Sequence, residues 1–238
     1  NVVTTNQRRE SHLRFYETGR VYLPRPGALP HQPRMLGAVL ADAGARKDPE
    51  GELFFQMKYA VEALFARMER GGVVWIKPTT ELEVWEHPGR CAEVQVQGLS
   101  VGRIFQVHPR TAQALQLRMG VVMAILDLDA VTALPAQVQP YTPLPRFPGI
   151  DYDVTFVVKK SVEASTILDI IREQGDEWLH GAECVAVYTG EKYPDRRALS
   201  FRMHFLHPDR TLKHEEVSGV VDRVITRVTE DTHSELVQ

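Results

Sequence analysis

The chain has 238 residues, 43% hydrophobic and 25% charged, the balance of an ordinary globular protein with room for one large or two ordinary domains. A formal net charge of −3 excludes gripping nucleic acid by bulk positive charge, and two cysteines, Cys91 and Cys184, exclude a disulfide framework and suit a reducing cytoplasm. No apolar run approaches the roughly 20 residues that span a bilayer, the opening NVVTTNQRRE has no signal-peptide core, and a start on Asn1 points to a processed or excised product.

Along the first half, β-branched and apolar runs predict strands over Arg14–Tyr22, Met35–Ala41, Cys91–Val96, Val101–Val107 and Val121–Leu128. Between the second and third, Phe54, Met57, Val61, Leu64, Phe65 and Met68 fall in register on one helical stripe. Consecutive strands with short turns and one helix suggest an antiparallel sheet with the helix packed on it. Gly98 and Gly102 flank LSV and read as hairpin-turn residues. His87 and His108 each precede a proline, and Cys91 lies four residues after His87; a zinc site needs a fourth ligand and tighter spacing, so these read as turn-forming His-Pro pairs. Asp127 and Asp129 sit two apart at a strand end and read as solvated strand-end charges, although paired carboxylates can do acid–base work.

The seam is PAQVQPYTPLPRFP, Pro135–Pro148, whose five prolines forbid a regular helix. The domain boundary is expected inside it, giving modules 1–138 and 139–238. From Tyr141 onward there are 12 Lys and Arg against 17 Asp and Glu, a net of −5, whereas the part before carries +2. Any RNA contact by the second module must then come from a local patch helped by stacking.

In that module Asp153–Val158 reads as a strand, and Ala164, Ile167, Leu168 and Ile171 as a helix closed by Gly175. Cys184–Tyr188 is a second strand. Arg197–Phe205 alternates strictly, with Leu199, Phe201, Met203 and Phe205 on one face and Ala198, Ser200, Arg202 and His204 on the other. A last helix carries Val217, Val220, Val221, Val224, Ile225 and Val228, and SELVQ can add a strand. The order β-α-β-β-α-(β) is the ferredoxin-like, split βαβ plan, with both helices on one sheet face and the other face free. Lys192, Arg196, Arg197, Arg202 and Arg210 gather around the second hairpin with Tyr188 and Tyr193, a pattern that can hold phosphates while a base stacks. Neither dinucleotide nor P-loop glycine patterns occur, and the Gly98-Leu99-Ser100-Val101-Gly102 run reads as a hairpin turn and not as a strand-to-helix nucleophile elbow, so no catalytic residue is assigned.

The ordered set YTPLPRFPGIDYDVTFVV, CVAVYTG and RRALSFRMHFLHPDRTLKHEEV resembles the ferredoxin-fold anticodon-binding domain that ends the β subunit of bacterial phenylalanyl-tRNA synthetases. The matching positions include Pro145–Pro148, Asp153, Tyr188, Gly190, Arg210-Thr211-Leu212, Glu215, Glu216 and Val217. RFYETGRVY, FFQMKYAVEALF, HPGRCAEV, VGRIFQVHPR and LDLDAV resemble, in order, that family's catalytic-like module, a class II synthetase sheet that has lost its active site. The resemblance implies a non-catalytic piece of a ligase, with no cofactor of its own. ATP and magnesium would serve the holoenzyme through an α subunit, in an α2β2 assembly. It implies Tyr188 as a stacking platform, Arg197 and Arg202 as phosphate or base contacts, and Arg146 as a further tRNA contact.

Departures from the family pattern sit where polar readout is expected. Ala186 stands for an aspartate, Ala198 for a serine and Tyr152 for an arginine. Lys213 replaces a Thr or Ser N-cap, at a cost of about 1 kcal/mol. The alternative is a divergent, free-standing paralogue that binds protein or ligand without reading an anticodon.

Overall fold

Alternating burial builds both sheets. The computed structural model describes every residue except 49, 138–143, 191–192 and 238. The chain forms two compact units, Asn1–Pro140 and Tyr141–Gln238. The boundary expected at 138/139 lies outside the described residues.

In the first unit the elements are α1 (Val2–Asn6), β1 (His12–Arg20), β2 (Arg34–Asp42), α2 (Glu52–Arg67), β3 (Val73–Ile76), β4 (Glu86–Val96), β5 (Leu99–Val107), α3 (Pro109–Ala114), β6 (Gly120–Asp127) and α4 (Leu128–Ala133). The strands make one antiparallel sheet in the order β1-β2-β6-β5-β4-β3. On α2, Leu53, Met57, Val61 and Phe65 are buried against Val94, Ile104, Val122, Ala124 and Leu126 of the sheet. Each such side chain contributes roughly 1.5–3 kcal/mol of burial. The opposite face holds a smaller cluster of Leu13, Ala41, Val107, Met119 and Val121.

One local expectation holds at Gly98 and two change. The β4–β5 hairpin turns on Gln97 and Gly98, both with positive φ (51° and 78°), the form that matches strand twist. Gly102 is no turn residue but lies within β5 at φ 148°, where a Cβ would come 2.1 Å from the Ile125 carbonyl oxygen of β6. Asp127 and Asp129 do not share a strand face, because the strand stops at Asp127 and a helix begins. Asp127 caps α4 by accepting from the Ala130 N–H at 2.9 Å, and Asp129 accepts from the Arg34 N–H at 2.9 Å.

The second unit runs β7 (Ile150–Lys159), α5 (Ala164–Gln174), β8 (Leu179–Tyr188), β9 (Arg196–Phe205), α6 (His214–Thr232) and β10 (Glu235–Leu236). Its sheet order β10-β7-β9-β8 is the ferredoxin-like arrangement. Phe156, Leu199, Phe201, Met203 and Phe205 pack under Ile167 and Ile171 of α5 and Val217, Val221, Val224 and Val228 of α6. His233, left-handed at φ 51°, ends α6 and lets Glu235–Leu236 pair with β7.

The missing N-cap oxygen at Lys213 is offset locally. Glu216, three residues into α6, accepts from the Lys213 N–H at 2.8 Å, the reciprocal half of a capping box. Arg210 grips the same carboxylate with both terminal nitrogens, at 2.8 and 2.7 Å. These donors hold the Glu216 carboxyl down at about 2, with Arg210 the largest cause and the Lys213 N–H next.

Candidate nucleic-acid interface

Because helices cover one face of the second sheet, alternate residues of β7 and β9 lie on the other face, as do those of β8 on either side of its bulge at Cys184–Ala186, and strand register sorts these into rows. Val157, Ala198 and Tyr188 form one row, Thr155, Ser200 and Ala186 the next, then Asp153, Arg202 and Glu183, and finally Asp151, His204 and Gly181. Beyond the Tyr188 row lie Lys159 and Arg196.

Tyr188, 54% exposed on the edge strand β8, has Tyr193 edge-on with ring centroids 6.4 Å apart. Its hydroxyl lies over Gly190, where a Cβ would come within 2.4 Å of that oxygen. Next to the ring the face is low, because Ala186 and Ala198 carry only methyl groups. The Thr155 and Ser200 hydroxyls bond one another at 2.8 Å. A planar base can lie on such a floor without displacing a bulky side chain, and the tyrosine supplies its π-face.

Arg202 belongs to a different part of the face. Its Nε and terminal nitrogen donate to both Asp153 oxygens at 2.8 and 2.7 Å, with Glu183 in the same row. The bond from Arg202 holds the Asp153 carboxyl below its usual range, and the carboxylate in turn raises the guanidinium. His204 is bonded through Nδ1 to Asp151 at 2.5 Å, with the His180 ring 6.1 Å away.

Several predicted contacts lie elsewhere. Arg197 has the parity of Leu199, so its side chain is on the helix-covered side. There its terminal nitrogen donates to the Val162 carbonyl at 2.6 Å, in the turn before α5, while Nε is buried without a partner. That geometry corrects its assignment to the binding face. Arg210 sits at the far end of the sheet, 5.8 Å from the Trp178 ring. Tyr152 faces the helices and stacks on His214 at 6.0 Å. Arg146 is exposed just before β7. Lys192 lies outside the described residues.

In the first unit, the His87 and His108 rings are 6.3 Å apart, and each Nδ1 accepts a backbone N–H, from Gly89 at 3.0 Å and Arg110 at 3.1 Å. Burial, with Glu86 nearby, pushes the Cys91 thiol up to about 11. Among the described residues no group of three or more His, Cys, Asp or Glu could hold a metal. Two acids that sequence patterning passed over are buried on β4. Glu86 pairs with Arg103 at 3.0 Å, and Glu93 accepts from the Thr79 N–H and hydroxyl at 3.0 and 2.9 Å. Both carboxylates are thus committed to anchoring the 79–86 connection.

The sheet face opposite α2 forms a groove of about 830 Å³ lined by Phe15, Val39, Phe105, Val121 and Met123. Glu17 is its only charged side chain among the described residues, and no lysine or arginine lines it. No side chain of that lining is a cationic partner for a triphosphate.

The molecule is thus an α+β protein of two antiparallel-sheet units, the second ferredoxin-like with an exposed tyrosine on the sheet face opposite its helices. Residues 1–128 match the "Phenylalanyl tRNA synthetase beta chain CLM domain", and residues 145–236 the "Ferredoxin-fold anticodon binding domain". The chain belongs to the phenylalanyl-tRNA synthetase β-chain family. It is 31% identical over 235 residues to a phenylalanine–tRNA ligase β subunit of Bacillus cereus, covering 96% of this chain and 29% of that protein. The Moorella thermoacetica β subunit is 30% identical over 221 residues, covering 91% of this chain and 27% of that protein. The chain therefore spans under a third of the length of these relatives. A solved pyrrolysyl-tRNA synthetase from Desulfitobacterium hafniense aligns over 54% of this chain and 44% of its own at 11% identity and a TM-score of 0.42. No described helix is long and apolar enough to cross a membrane.

Proposed function

We propose that this chain serves a cytoplasmic phenylalanine–tRNA ligase as the assembly and anticodon-binding part of its β subunit. The second unit would bind the anticodon region of phenylalanine tRNA on its open sheet face, with Tyr188 as the stacking ring. The first unit would dock on the α subunit in an α2β2 assembly, where ATP and magnesium drive aminoacylation outside this segment. One observation carries the reading: the helices of the matched anticodon-binding fold pack on one sheet face, and the exposed Tyr188 lies on the other beside the small side chains Ala186 and Ala198. Arg202 lies on this face but is held in its ion pair with Asp153, and Arg146, exposed just before β7, is a candidate tRNA contact. The test is aminoacylation by a holoenzyme whose β subunit ends in this chain, with and without residues 145–236. Loss of tRNA charging together with retained phenylalanine-dependent ATP–pyrophosphate exchange is expected. Unchanged tRNA charging contradicts the reading.

A second reading draws support from Ala186, Ala198 and the paired Arg202. These features suit a divergent paralogue that docks protein or ligand without anticodon readout. An editing domain upstream in the same reading frame favours the first reading, and a start codon just before Asn1 the second.

A further inference from the structure

Strand register places the two cationic parts of the open face at different distances from Tyr188. Arg196 is two residues from Ala198 along β9, about 7 Å, whereas Arg202 is four residues the other way, about 13 Å. Their surroundings differ as well. Arg202 is gripped by Asp153, with Glu183 beside it in its row and Asp151 in the next, so a phosphate there meets a predominantly negative field. At the other end Lys159 is exposed and opposite Arg196, and Lys160, just past the end of β7, reaches the turn between β8 and β9, its ammonium donating to the Pro194 carbonyl at 2.7 Å. Glu235 offsets one of these charges through its 2.5 Å pair with Arg196, and Asp195 stands in the adjoining turn. The remaining lysines keep most of their donor capacity, since a carbonyl takes one of three ammonium protons on Lys160.

We propose that a single RNA strand crosses the open face at its Tyr188 end. A base would stack on Tyr188 above Ala198, with the flanking phosphates neutralised by Lys159 and Lys160, while Arg202 serves the Asp153 ion pair rather than the RNA. This rests on the anticodon-binding reading and adds the end of the face that the strand crosses and the residues that meet its phosphates. The small side chains at Ala186 and Ala198 leave the stacked base free to slide, so the electrostatic contacts fix the register.

The test is a titration of the 238-residue chain with a fluorescent anticodon stem–loop of phenylalanine tRNA over a series of salt concentrations. The K159Q/K160Q double variant is compared with R202Q and the parent, each checked for an unchanged thermal melt. The lysine pair is expected to lose about tenfold in affinity and to flatten the log–log salt slope by about 1.4, the single-strand value for two phosphates. R202Q is expected to stay within about twofold with an unchanged slope. Loss of affinity and slope in R202Q with a silent lysine pair overturns the assignment while leaving RNA binding standing. Absence of binding by the parent chain removes both readings together.

Discussion

Replacing Tyr188 by alanine removes the ring on which the proposed RNA contact depends. Base–aromatic stacking is worth about 1–3 kcal/mol by alanine substitution, which is roughly a 5- to 150-fold loss of affinity. The fold should tolerate the change. A buried aromatic cut to alanine costs about 3–5 kcal/mol, but Tyr188 is 54% exposed on an edge strand, so about 1 kcal/mol is expected. For a unit of this size that is on the order of 5 °C in melting temperature. Fluorescence anisotropy with the anticodon stem–loop, run beside a thermal melt, separates the two effects. Tyr188→Phe keeps the π-face and should bind within about threefold of the parent. Unchanged affinity in Tyr188→Ala refutes stacking, and an equal loss in Tyr188→Phe replaces it by a hydroxyl contact.

Gly190→Ala puts a methyl 2.4 Å from the Tyr188 hydroxyl, so the flexible ring must swing aside. RNA affinity should fall with little change in the melt, and a large drop in stability with retained binding would contradict this. The Glu216 carboxyl, held at about 2 in the folded chain against an ordinary value of about 4.3, contributes stability that is full above the ordinary value and is lost as pH falls toward 2. The parent's urea midpoint should therefore decline across that window and Glu216→Gln should decline less; parallel curves would show that the Arg210 and Lys213 contacts contribute nothing. Gly102→Ala forces a methyl into the Ile125 carbonyl at an unfavourable φ and should destabilise the first unit by on the order of 3 kcal/mol, read by urea denaturation. A change within experimental scatter would sink the close-approach argument.

What could be read in the sequence was what repeats within one element. The alternation of Leu199, Phe201, Met203 and Phe205 and the stripe of Val217, Val221, Val224 and Val228 are local patterns, and both emerge as the buried layers of the second unit. The same alternation assigns Arg197 to the buried side, since it shares the parity of Leu199. Pairings between distant residues were not legible. The Arg202–Asp153 pair joins residues 49 apart, and the Glu86–Arg103 pair joins two acid- and base-bearing strands whose register depends on a bulge. Short elements escaped as well. Val73–Ile76 is too brief to show a period, and α3 and α4 are single turns or little more, capped by His108 and Asp127 rather than signalled by an apolar stripe. Gly102 read as a turn residue because turn and close-approach glycines look alike without their neighbours.

The most direct test of anticodon-region binding is a titration of the 238-residue chain with phenylalanine tRNA and with the same tRNA lacking its anticodon arm, at low and at physiological salt. Saturable binding to the intact tRNA, weakened by salt and lost with the arm, is the predicted result. Equal binding to both RNAs would contradict it.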